Sequence, residues 1–190
     1  LQISNSNELT TISGFANLEI VEGYFSILNN FKLAEISGFD NLVRVNGYFA
    51  IDFADDLVSI SGFSNLVNVG SYFYIAWNPD LASIDGFNKL ESVGGHLVVE
   101  VNRVVDIAGF NNLTTVNDHL SILDNDLLTT ISGFNKISTL GADFNISNNV
   151  ILTTISGFTN LDTVVGSIRF SNNPLLTNFD GLRNIKCVRG

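Results

Sequence analysis

Apolar and polar positions follow one short pattern from end to end of the chain. In Tyr24 to Leu28, Phe25 and Ile27 alternate with Tyr24, Ser26 and Leu28. This period of two predicts a strand with Phe25 and Ile27 turned to one face. Asn30 then opens a turn, Leu33 and Ile36 return to the interior, and Ser37-Gly38 turns again. Phe39 and Leu42 fill the next side, and Val45 precedes a further glycine turn at Gly47. No stretch carries an apolar stripe long enough for a stable helix. The pattern predicts an all-β unit of short strands joined by turns.

The unit repeats. Gly14, Gly38, Gly62, Gly86, Gly109, Gly133, Gly157 and Gly181 recur every 24 residues, with one 23-residue step between Gly86 and Gly109. The words Ile36–Phe39, Ile60–Phe63, Ile131–Phe134 and Ile155–Phe158 are identical. A period of this size is the signature of a solenoid, because one unit cannot bury its own apolar face and a stack can. The expected architecture is a parallel β-solenoid of about eight 24-residue coils, roughly 38 Å long at about 4.8 Å per coil. Two apolar ladders then form its core: Phe15, Phe39, Phe63, Phe87, Phe110, Phe134, Phe158, and Phe25, Phe49, Phe73, Leu97, Leu120, Phe144, Ile168. Repetition without interruption makes residues 1–190 a single domain.

Two asparagine ladders accompany the core. One holds Asn30, Asn78, Asn102, Asn125, Asn149 and Asn173; the other holds Asn17, Asn41, Asn65, Asn112, Asn160 and Asn184, with Lys89 and Lys136 as exceptions. Asparagine tolerates turn conformations, and its amide can satisfy turn backbone groups and bond along the stack. Both ladders therefore read as structural. Asn112-Leu-Thr and Asn145-Ile-Ser fit the N-glycosylation pattern, a motif short enough to arise by chance. The single Cys187 can make no intrachain disulfide and reads as a small apolar residue near the last coil.

A net charge of −10 argues against a phosphate backbone or an anionic membrane surface as partner and suits cationic or neutral ones. No apolar run approaches the roughly 20 residues of a membrane-spanning helix, so no direct membrane insertion is expected.

Phe25-x-Ile27-x-x-Asn30-x-x-Leu33 is similar to the strand-and-asparagine core of leucine-rich repeats. Ile36-Ser-Gly-Phe-x-Asn-Leu42-x-x-Val45-x-Gly47 resembles the receptor L-domain family over the whole chain, and its microbial surface branch in particular, since the disulfides and cap helices of animal receptors are missing. The resemblance implies a right-handed β-helix, an extracellular or cell-surface location, and a sheet that binds a ligand or partner.

Function is legible where the columns vary. Successive outward positions on the Phe-x-Ile strand read Tyr24, Tyr48, Tyr72, His96, His119, Asp143, Ser167, then Ser26, Ala50, Tyr74, Val98, Ser121, Asn145, Arg169. The next columns read Leu28, Asp52, Ala76, Glu100, Leu123, Ser147, Ser171, and Asn29, Phe53, Trp77, Val101, Asp124, Asn148, Asn172. All four tyrosines and the only tryptophan fall on this sheet. Stacked aromatics stabilise neighbouring strands by about 0.2–1 kcal/mol per pair, yet contiguous exposed apolar surface also marks interaction sites, with Tyr and Trp as favoured hot spots. The candidate partner-binding residues are Tyr24, Tyr48, Tyr72, Tyr74, Phe53, Trp77, His96, Val98 and Val101.

Catalytic chemistry finds little support. Asp52 and Glu100 share a column two coils apart, about 9.6 Å by the coil spacing, which resembles an inverting glycosidase pair. A flat sheet with Ala76 between them is expected to leave them as solvated charges. Asp55, Asp56 and Asp80 lie in adjacent turns but lack the spacing of calcium-bound β-rolls. His96 and His119 are neighbours that could hold a metal, without an evident third ligand. Neither a cofactor nor a metal is expected. Thr114-Thr115, Thr129-Thr130 and Thr153-Thr154 hint at an ice-binding face, but Arg44, Glu91 and Glu35 interrupt the ranks.

The sequence thus points to a non-catalytic recognition or adhesion module that binds a protein or glycan through its aromatic sheet. The alternative is a stalk or filament subunit. Leu1-Gln2-Ile3 begins directly on a repeat strand and Val188–Gly190 stops just before the next, with no polar cap at either end. The chain therefore reads as a fragment of a longer protein, or as a subunit that stacks head to tail.

Overall fold

The computed structural model describes residues 1–190 and shows a parallel β-solenoid of eight coils with three strand-bearing faces. Each coil contributes one strand to the first face: Gln2–Ser4, Phe25–Leu28, Phe49–Asp52, Phe73–Asn78, Leu97–Asn102, Leu120–Leu123, Phe144–Ser147 and Ile168–Ser171. All are paired in parallel with Phe25, Phe49, Phe73, Leu97, Leu120, Phe144 and Ile168 in register, as the ladder required. The second face is built from two-residue strands such as Arg44–Val45, Asn68–Val69 and Thr115–Val116, whose first residue faces out and whose second is buried. The third face is two three-stranded sheets, Thr11–Ile12 to Ser59–Ile60 and Asp106–Ile107 to Thr154–Ile155. In the coil between them only an isolated bridge, Ser59 to Ser83, continues the pairing.

A single cluster of 45 buried apolar residues runs through the stack. Its two phenylalanine ladders meet edge to face. Phe49 stacks on Phe25 and Phe73 at 4.9 and 5.0 Å, while Phe63 and Phe87 approach it at 88° and 84°. Offset stacks and edge contacts both suit the ring quadrupole. The widest step in the Phe15–Phe158 ladder is Phe87 to Phe110, 6.0 Å. It falls at the short coil. There Arg103 alone separates Asn102 from Val104, where the coil before has Pro79-Asp80 between Asn78 and Leu81.

The buried asparagines close the turns after the first face. Asn78 Oδ1 accepts the Ala54 amide at 3.1 Å, and its Nδ2 donates to the Ile51 carbonyl at 3.1 Å and to Asn102 Oδ1 at 3.2 Å. Asn102, Asn125 and Asn149 repeat the arrangement toward Asn173. Orphaned turn amides and carbonyls are thereby satisfied where water cannot reach them. In the outer ladder, Asn41, Asn65, Asn112, Asn160 and Asn184 each donate to a carbonyl of the coil below. Lys89 and Lys136, the exceptions, donate instead to Asn65 and Asn112. At Gly94, in the corner before the first face, the chain passes so close to the coil below that a Cβ would collide with the Gly70 carbonyl.

Candidate functional site

The first face is not flat, contrary to the sequence expectation. Its outward side chains enclose a recess of about 470 Å³ lined by Ser26, Leu28, Tyr48, Ala50, Asp52, Tyr72, Tyr74, His96 and Val98. The small second column is the cause. Ser26 and Ala50 lie at the bottom, and taller tyrosines stand on either side. The structure therefore brings together five of the nine candidate residues, Tyr48, Tyr72, Tyr74, His96 and Val98, around one hollow. Tyr24 extends the wall outward: its ring stacks on Tyr48 at 4.8 Å and 3°, and Tyr48 stacks on Tyr72 at 4.5 Å and 7°. The column thus turns ring edges and hydroxyls to solvent while its inner ring faces cover one another.

Asp52 sits in this hollow, and here the structure corrects a second expectation. Its carboxyl is mostly buried rather than solvated, and Oδ1 is the one buried side-chain polar atom in the molecule without a hydrogen-bond partner. Burial raises its pKa from 3.8 to about 7; the Ala76 backbone amide opposes the shift and nearby Glu100 adds to it. Glu100 is held by the Tyr74 hydroxyl at 2.5 Å. Burial pushes the Tyr74 phenol upward, its bond to Glu100 pushes the same way, and the Trp77 side chain opposes them. The Tyr72 phenol is also raised, by burial first and by Tyr48 and Asp52 after it.

Phe53, Trp77 and Val101 form an apolar rim one column beyond the residues that line the recess. All eight coils place a left-handed residue at this position, with φ between 51° and 60°: Asn5, Asn29, Phe53, Trp77, Val101, Asp124, Asn148 and Asn172. Five coils use Asn or Asp, the residues that tolerate this conformation best. Asn29 donates to Asn5 at 3.2 Å and Asn172 to Asn148 at 2.8 Å. The three consecutive exceptions are bulky and apolar, and a β-branched valine at positive φ is an outlier. Phe53 and Trp77 are 38% and 45% exposed and stack on each other at 5.8 Å and 10°. Beside them the short Arg103 turn opens a notch lined by Pro79, Val101, Arg103, Asp124 and Asp126.

Beyond His96 the face becomes polar, with a smaller hollow among His119, Ser121, Asp143, Asn145, Ser167 and Arg169. The two histidines do have a third neighbour, which column reading missed. Asp118 Oδ2 lies 3.0 Å from His96 Nδ1, and Asp118 Oδ1 lies 3.2 Å from His119 Nε2. The signal was present in the sequence: Asp118 stands where neighbouring coils have Gly47, Ser71, Gly95, Ala142 and Gly166. The acidic turn residues Asp55, Asp56 and Asp80 do not converge, and Asp80 faces Arg103 at 3.7 Å. The hydroxyls of Thr114, Thr129 and Thr153 bond carbonyls of the coil below rather than forming a free array.

Comparison with family models, with curated proteins and with solved structures returns no match.

Proposed function

We propose that the chain is a non-catalytic recognition module of the cell surface or extracellular space, and that a protein partner binds the recess and its Phe53–Trp77–Val101 rim. The observation that carries this reading is the rim itself. Three successive coils hold bulky apolar residues at a left-handed position that five other coils give to Asn or Asp. Each such residue costs on the order of 1–3 kcal/mol of backbone strain. Two of the three still leave 38% and 45% of their surface in solvent, apolar area that packing within the solenoid does not use. Strained, exposed and contiguous apolar groups belong to contact surfaces.

Two further features favour a protein over a sugar. A sugar ring stacks on an aromatic face, whereas the inner faces of the Tyr24–Tyr48–Tyr72 column are already covered by one another. Ring edges, hydroxyls and a hollow with an unpartnered carboxylate oxygen suit a side chain that carries a hydrogen-bond donor, and a cationic one best. The resemblance of Gly38-Phe-x-Asn-Leu42 and its repeats to receptor L domains supports the extracellular placement.

The test is a Phe53→Asn/Trp77→Asn double variant beside the wild type on arrays of extracellular proteins and of glycans. Asparagine is the residue the other coils use, so the variant keeps its fold, which circular dichroism checks. A protein ligand bound by the wild type and lost in the variant is the expected result. Equal binding by both, or binding confined to glycans, overturns the proposal.

A further inference from the structure

We propose that His96, His119 and Asp118 form a binding site for one divalent transition-metal ion of the zinc class, at the boundary between the aromatic and polar halves of the first face. His96 and His119 precede strands Leu97–Asn102 and Leu120–Leu123, which are in register, so stacking places one imidazole above the other. The rings lie 5.4 Å apart at 26°. Asp118 comes from the corner just before His119, and its carboxylate spans both rings through the 3.0 and 3.2 Å contacts. One nitrogen from each histidine and one Asp118 oxygen lie within 4.8 Å of one another.

That spacing is close to a coordination sphere. Bonds of about 2.0–2.2 Å in tetrahedral geometry set ligand atoms roughly 3.3–3.5 Å apart. Small side-chain rotations close the set around an ion. All three side chains are about half exposed, so an ion can enter from solvent and keep water in a fourth position. Two imidazoles and one carboxylate favour zinc, cobalt, nickel or copper over calcium and magnesium, which prefer all-oxygen shells.

Asp143 acts behind His119 as a positioning residue. His119 Nδ1 accepts the Asp143 backbone amide at 3.3 Å, which leaves the ring proton on Nε2 against Asp118. An ion at Nε2 takes that proton's place, and the proton moves to Nδ1. The Asp143 amide contact must then open, and a small rotation brings the Asp143 carboxylate, now 3.6 Å away, into place as its acceptor. Carboxylates in this role orient the imidazole and raise its basicity.

The experiment is calorimetric titration of chelator-treated protein with zinc chloride, paired with cobalt(II) absorption as a report on the ligand set. A Cys187→Ser background removes the one thiol that competes for metal. One equivalent of zinc is expected to bind, with at least about 100-fold weaker binding in His96→Ala and in His119→Ala. Asp143→Asn weakens binding about tenfold with an unchanged cobalt spectrum. Circular dichroism confirms folding, which these partly exposed positions should not disturb. No saturable zinc heat in the wild type, or a wild-type isotherm retained in both histidine variants, overturns the site. Its failure leaves the proposed partner surface standing, since that surface shares only His96 with the metal site and is tested at Phe53 and Trp77.

Discussion

The two halves of the first face share one scaffold and differ in what they carry. From Gln2–Ser4 to Phe73–Asn78 the outward columns hold stacked tyrosines, the Phe53–Trp77 pair and a mostly buried carboxyl. From Leu120–Leu123 to Ile168–Ser171 the same columns hold Ser121, Asp143, Asn145, Asn148 and Arg169. Beneath them little changes: register, phenylalanine ladder and asparagine ladder run through both halves. A repeat fold therefore separates stability, held in inward columns, from the variable surface chemistry carried in outward ones. The backbone shows a smaller difference at the third-face turn. In the first half Gly38 and Gly62 take positive φ, while in the second Phe134 and Phe158 do, one position later.

The largest effect should come from the core, and it tests whether the halves are equally packed. Phe49→Ala and Phe144→Ala both remove fully buried rings, at about 3–5 kcal/mol each. Phe49 is stacked on both sides and met edge-on twice, whereas Phe144 lies between Leu120 and Ile168. Chemical denaturation should therefore show the greater loss for Phe49→Ala. A greater loss for Phe144→Ala would mean that the aromatic half is the looser one.

Most of that scaffold is legible in the sequence because each inward column repeats one chemistry in every coil. Coil count, strand register, both phenylalanine ladders and the bonding role of Asn78 or Asn41 follow from period and alternation alone. The recess was not legible. It depends on relative side-chain height, Ser26 and Ala50 beside Tyr48 and Tyr72, and column reading treats every outward residue as equally solvated. The meaning of Phe53, Trp77 and Val101 was only half legible, since their backbone conformation is known from φ and not from residue type.

The next effect concerns Asp52, a feature of the aromatic half alone. Its carboxyl titrates near 3.8 when the chain is unfolded and at about 7 in the fold. Between those values the folded state holds an extra proton. The Asp52 contribution to stability is therefore full below about pH 4, falls as pH rises to about 7, and stays lower above. Asp52→Asn removes the charge and should stabilise the protein at pH 8 by about 1–3 kcal/mol, with little difference at pH 4. Denaturation curves at the two pH values decide the matter. An equal difference at both would show that the carboxylate is solvated after all.

The smallest effect is the sharpest test of the contrast, because it exchanges residues at one column between the halves. Val101 has φ 51° and Asn148 has φ 60° at equivalent positions. Val101→Asn replaces a β-branched residue with one suited to the left-handed region, and should raise stability by about 1 kcal/mol. Asn148→Val makes the reverse exchange and also removes the acceptor of the 2.8 Å Asn172 bond, so it should lower stability by about 1–2 kcal/mol. Opposite signs from one column would show that the rim residues are held against the preference of the scaffold. Loss of stability in both variants would instead mean that Val101 is packed well enough to belong there for structural reasons. The claim that the rim is maintained for binding would then rest on Phe53 and Trp77 alone.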